Sequence, residues 1–151
     1  MMTKQKEEEF TIKRVVPVQV KLATTISQDG QQEHFSFTEA GSFVEMNGKY
    51  YLRYLEHQQG QETPVQVRFD EQLVRLRRKS VVETNLLFDP HRSTVMRYRT
   101  QYGLINLEVA TEKLDLQLDP ATPAGRLRVS YRLKNAGQIV GSYQLELQFM
   151  A

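Results

Sequence analysis

At 151 residues, 40% hydrophobic and 25% charged, the chain has the size and composition of one globular domain with its own core. A formal charge of +2 lacks the concentrated excess that whole-chain binding of nucleic acid needs, and cysteine is absent, which removes disulfides, thiol nucleophiles and cysteine-based metal centres. No run approaches the ~18 consecutive apolar residues of a membrane span, so a cytoplasmic protein without a membrane partner is expected.

The opening "MMTKQKEEEF" carries charge where a signal peptide has an apolar run. Residues 1–14 are expected to form a flexible tail and 15–151 the domain. From there, alternation with a period of two recurs almost throughout. "VVPVQVKLATTIS" puts Val16, Val18, Val20, Leu22, Thr24 and Ile26 on one face, with Pro17 opposite and near the strand start. "EHFSFTEAG" aligns Phe35 with Phe37, and Gly41 is expected as a bend or bulge. Asn47-Gly48 stands between two alternating runs. Both central residues of a type I′ turn need positive φ, so a two-residue hairpin is predicted there.

"PVQVRF" then aligns Val65, Val67 and Phe69, and "LVRLRRK" and "VVETNLLF" follow as short strands. "STVMRYRTQY" separates Met96, Tyr98, Thr100 and Tyr102 from Val95, Arg97, Arg99 and Gln101. "LINLEVAT" and "KLDLQL" give two further runs, "DPATPAG" (119–125) a loop, and "RLRVSYRL" and "IVGSYQLELQF" the last pair. No amphipathic helix, internal repeat or low-complexity tract is evident. Short strands joined by turn-rich connections predict an all-β domain: a single antiparallel up-and-down barrel of about 8–10 strands, or a sandwich.

Motifs for phosphate cradling and for a nucleophile elbow are absent. His34, His57 and His91 have no histidine partner at metal-ligand spacing. Asp89-Pro90-His91 is expected as a turn, and Glu45, Glu56, Glu108, Glu112, Asp115 and Asp119 as surface charge. No catalytic residue, metal or cofactor is assigned, and a non-enzymatic protein is expected.

Two features compete as a binding site. Residues 65–100 hold eight cations against Asp70, Glu71, Glu83 and Asp89, an excess of 8 − 4 = 4. Arg75, Arg77, Arg97 and Arg99 would meet on the outer wall if their strands face the same way. A single-strand binder wants arginine and aromatic rings on one surface, whereas alternation sends Tyr98 and Tyr102 to the other side. A solvated wall is the simpler expectation, with RNA association through that patch as the alternative. The inner row of Tyr98, Thr100 and Tyr102, joined by Tyr131 and Tyr54 (or Tyr51), mixes apolar bodies with hydroxyls and could line a pocket. A filled or shallow interior is favoured, since Phe35, Phe37, Phe43, Phe69 and Phe88 are bulky enough to fill it.

"VRLRRKSVV…LLF", "YRTQYGLINLEVAT" and "LRVSYRLKNAGQIVGSYQLELQF" resemble the bacterial YwiB-like family of unknown function (DUF1934). The resemblance runs from about Val16 to Phe149, and its most specific piece is Tyr98, Thr100, Tyr102 and Gly103, followed by Thr111. One departure is Ser80, where relatives often carry Gly. The resemblance implies a calycin-like, lipocalin-type barrel and supplies no reaction. Calycin barrels elsewhere often take small apolar molecules, so a small ligand or a protein partner is the expected function, by analogy of fold. Oligomeric state is not legible.

Overall fold

A computed structural model describes residues 11–58 and 60–151, with Thr100 described by its backbone alone. Of the tail expected over residues 1–14, residues 1–10 lie outside the described residues, while Ile12, Lys13 and Arg14 belong to the first strand and correct that boundary. Ten strands follow: β1 Ile12–Gln28, β2 Gln31–Met46, β3 Lys49–Gln58, β4 Gln61–Phe69, β5 Val74–Lys79, β6 Glu83–Phe88, β7 Thr94–Thr100, β8 Gly103–Asp119, β9 Ala124–Asn135 and β10 Gln138–Met150. Among the described residues there is no helix, and none long and apolar enough to cross a membrane.

All ladders are antiparallel and form one sheet in the order β6-β5-β4-β3-β2-β1-β10-β9-β8-β7. The two outermost strands are consecutive in sequence. The sheet rolls until they meet, with Thr94 Oγ1 donating across to the Leu87 carbonyl at 2.6 Å. No ladder joins β6 to β7 among the described residues, so the barrel is nearly closed and keeps one seam.

The hairpin turn at Asn47-Gly48 has φ of 54° and 74°, as its sequence predicts. The same backbone recurs at Asp29-Gly30 and at Ala136-Gly137. Ser80 keeps its turn without glycine: its hydroxyl donates to the Val82 carbonyl at 3.1 Å and accepts from the Val82 N–H at 3.4 Å. Asp89 likewise caps its turn, accepting from the His91 N–H at 2.9 Å and from Arg92 Nε at 3.1 Å. The His91 N–H, ahead of Arg92, holds the Asp89 carboxyl below the usual range.

Several strands are longer than alternation alone suggests. "LINLEVAT" and "KLDLQL" are one strand of 17 residues, β8. The register shifts between Thr111 and Lys113, so inward residues change from odd to even numbers there. A phase change of that kind breaks a strict alternation count in two. Gly41, expected as a bend, lies in unbroken register between Val18 and Tyr54. It is there for closeness: a Cβ at Gly41 would stand 2.8 Å from the Arg53 carbonyl oxygen and 2.8 Å from Val20 Cγ2.

The barrel is filled at one end. Phe43 stacks on Tyr50 (5.6 Å between centroids) and on Phe149 (5.5 Å), which stacks in turn on Phe69 (5.8 Å). Arg14 covers this floor, its guanidinium 5.7 Å from the Phe43 ring centroid and 3.5 Å from Glu45. Above the floor Val20, Leu52, Val67, Leu127 and Leu147 are fully buried, whereas Phe35, expected among the side chains that fill the barrel, is 42% exposed.

Candidate functional site: the barrel mouth and the outer arginine wall

At the opposite end the inner face changes character. β2 pairs with β3 only from Gly41↔Tyr54 to Met46↔Lys49, so residues 31–40 of β2 run on with β1 alone. Beyond Gly41 side chains span the gap. His57 Nδ1 lies 3.1 Å from Glu39 Oε1, and the Phe37 and Tyr54 rings are 6.1 Å apart.

Tyr54 and Glu56 are in phase with Leu52 on β3 and point inward. Arg78 on β5 reaches Glu56 at 2.8 Å, and Glu56 is only 7% exposed. Its expected place as surface charge is therefore corrected: the alternation of β3 carries it to the inner face. Tyr131 stacks on Tyr143 with centroids 4.9 Å apart and packs on Phe88 at 4.7 Å. Burial raises the Tyr54 phenol well above its ordinary range, and the Glu56 carboxylate adds to that while Arg78 opposes it. Burial does the same to Tyr131, reinforced by Tyr143. Tyr143 is raised by burial and by neighbouring Tyr98. All three are neutral hydroxyls at neutral pH, able to donate and accept. Beside Tyr131 in the ladder, the buried Thr111 Oγ1 has no hydrogen-bond partner among the described residues.

The five tyrosine-row residues separate. Tyr54 and Tyr131 are buried and Tyr98 is 42% exposed at the rim. Thr100 pairs with Gly103 at the end of β7, and its side chain lies outside the described residues. Tyr102 stands in the β7–β8 turn, 90% exposed, because the strand ends before it; the inward placement expected for it is corrected. Tyr51, weighed as an alternative to Tyr54, faces the other side of β3, where the Arg53 guanidinium lies 5.9 Å from its ring. The inward neighbours of this row missed from sequence are Arg78, Glu56 and Tyr143. Each was in phase with inward residues of its strand, and charge masked the signal for the first two.

The four arginines of the outer patch do share a wall. Arg75 and Arg77 on β5 line one depression, and Arg97 and Arg99 on β7 another; the two share Asn85 and Val95. Strand β6 intervenes, so the patch spans three strands. Among the described residues no group of three or more His, Asp or Glu is placed to hold a metal.

Comparison with known proteins agrees with this architecture. A crystal structure of the ywiB protein from Bacillus subtilis superposes with a TM-score of 0.79 at 23% identity, covering 93% of this chain and 94% of that one. The uncharacterized beta-barrel protein YwiB of Bacillus subtilis (strain 168) is 27% identical over 120 residues, 80% of this chain and 83% of the relative. Residues 20–147 match the family described as Domain of unknown function (DUF1934), and the chain belongs to that family.

Proposed function

We propose that the protein is a non-catalytic cytoplasmic binding protein that takes a small amphipathic molecule at the open mouth of the barrel. The observation that carries this is the inward Arg78–Glu56 pair set among Tyr54 and Tyr131, where a filled barrel would end in apolar side chains. The stacked Tyr131–Tyr143 faces and Phe37 offer an apolar bed. Arg78 and the unpartnered Thr111 hydroxyl offer polar ends to a head group. Glu56 is engaged by Arg78, which suits orientation rather than proton transfer.

The test uses an anionic amphipathic dye, anilinonaphthalene sulfonate, titrated into the folded chain. Saturable one-to-one binding, weakened about tenfold by Arg78→Met, is expected. Unsaturable binding, or binding indifferent to Arg78→Met and Tyr143→Ala, would overturn the reading. Native mass spectrometry of protein purified from its own host would identify a retained ligand.

A protein partner is the second reading. It is favoured by the ten residues 31–40 of β2, which have a ladder on one side only. Such an edge accepts a further strand. Slow amide exchange over residues 31–40 upon binding would support it, and unprotected exchange in a host-lysate complex would count against it.

A further inference from the structure

The outer wall differs from side to side. The β9 arginines sit beside carboxylates of β8 and β10: Arg126 and Arg128 reach Glu146 at 2.9 and 3.6 Å, and Arg132 reaches Glu112 at 2.5 Å. On β3 to β7 the register does the opposite. Arg68 stands directly across from Arg75, and Arg77 falls between Gln66 and Asn85. Arg97 faces Asn106, and Arg99 faces Leu104. Like charges opposite one another in a ladder cost stability. Arg75, Arg97 and Arg99 have no ion pair among the described residues, while Arg68, Arg77 and Arg92 hold Asp70, Glu83 and Asp89.

Three depressions of about 510, 610 and 510 Å³ follow this wall in series. The first two share Gln66 and Arg77, and the last two share Asn85 and Val95, so they form one track from Arg53 and Lys79 to Arg97 and Arg99. Seven of its eight cations are arginine, the side chain whose flat fork matches phosphate. Tyr51 lies in the track as the direct neighbour of Arg68, which puts an aromatic ring and arginines on the same surface. Val95 and Leu104 are exposed beside Arg97 and Arg99.

We propose that this track is a binding surface for single-stranded nucleic acid, with the unpaired arginines on the phosphates and Tyr51 stacking on a base. The ingredients of single-strand binding are a basic groove and an aromatic platform. The strands β3 to β7 supply both. Asn85 and Gln66 add amides in the floor of the track.

Fluorescence polarisation with a labelled 12-residue oligouridylate and the full chain tests this. At 50 mM salt saturable binding is expected. The affinity should fall with salt at a log–log slope of about −2 to −3, for three to four phosphates neutralised. Arg75→Glu/Arg97→Glu/Arg99→Glu should weaken it at least tenfold. The matched triple on the other wall, Lys21→Glu/Lys113→Glu/Arg128→Glu, should change it less than twofold. Tyr51→Ala should weaken it about fivefold with the salt slope unchanged. Thermal melting checks that each variant folds. No binding at 50 mM salt, or equal losses in the two triples, overturns the proposal. So does retention by phosphatidylglycerol vesicles with no binding of the oligonucleotide, which would make the wall a membrane-surface site.

Discussion

The floor and the mouth of this barrel are built from the same strands to opposite rules. At the floor, Phe43 and Phe69 each stack on Phe149, and Arg14 lies over the Phe43 ring with its Nε buried and unmatched among the described residues. At the mouth the inward positions hold Tyr54, Glu56, Arg78, Tyr131 and Tyr143, with Glu56 paired to Arg78 and the neighbouring Thr111 hydroxyl unmatched among the described residues. A packed end supplies stability by removing apolar surface from water, and a polar end lowers it wherever a group is left unmatched. The difference teaches where to look for each property: stability at the floor, recognition at the mouth.

Substitutions can break or sharpen that contrast. Phe149→Ala removes the ring shared by two stacks and should cost about 3–5 kcal/mol in urea unfolding. A loss below 1 kcal/mol would mean that the floor is not the stabilising end. Gly41→Ala, where the mouth begins to open, should cost about 2 kcal/mol, because the new methyl meets the Arg53 carbonyl, which is backbone and cannot swing aside. Tyr131→Phe keeps the ring and removes the hydroxyl. It should cost no more than about 1 kcal/mol while weakening the dye severalfold, the reverse of the floor pattern. At the rim, Ala136 holds φ of 50°, a conformation that suits asparagine better. Ala136→Asn should raise stability by about 0.5–1 kcal/mol and leave dye binding alone.

The smallest effect is one of pH. The hydrogen bond that the His57 ring donates to the Glu39 carboxylate raises the His57 pKa above 6.5, with Glu62 adding to it. A raised folded pKa means that folding takes up the proton more tightly. The stabilising contribution is therefore complete below pH 6.5 and fades as pH climbs through the folded value. An imidazole titration by NMR should show the raised midpoint, and Glu39→Gln should return it towards 6.5.

The strand count and antiparallel class were legible because alternation survives in nearly every strand. The Asn47-Gly48 turn was legible because few residues tolerate positive φ. The bulge between Thr111 and Lys113 was not, since one extra residue leaves no local compositional mark. On the inner face, the buried position of Tyr131 followed from phase, Tyr54 was left open against Tyr51, and Tyr102 was misplaced because a turn interrupts the phase. Glu56 and Arg78 were missed for a physical reason. Charged residues are rarely buried unless paired, and a pair between β3 and β5 cannot be read before the strand order is known.

The seam between β6 and β7 also has a consequence for how the chain reaches this form. The strands at the two ends of the sequence, β1 and β10, lie side by side within the sheet, zipped over nine residue pairs from Gln19↔Met150 to Ser27↔Ser142. Every other ladder joins sequence neighbours. The chain is thus two runs of hairpins that can form locally, and one closure that must bring its two ends together. Loop entropy makes that closure the slow step. A chain cut in the 89–93 turn, with its old ends joined, would pair only neighbours, and it should fold faster to the same barrel.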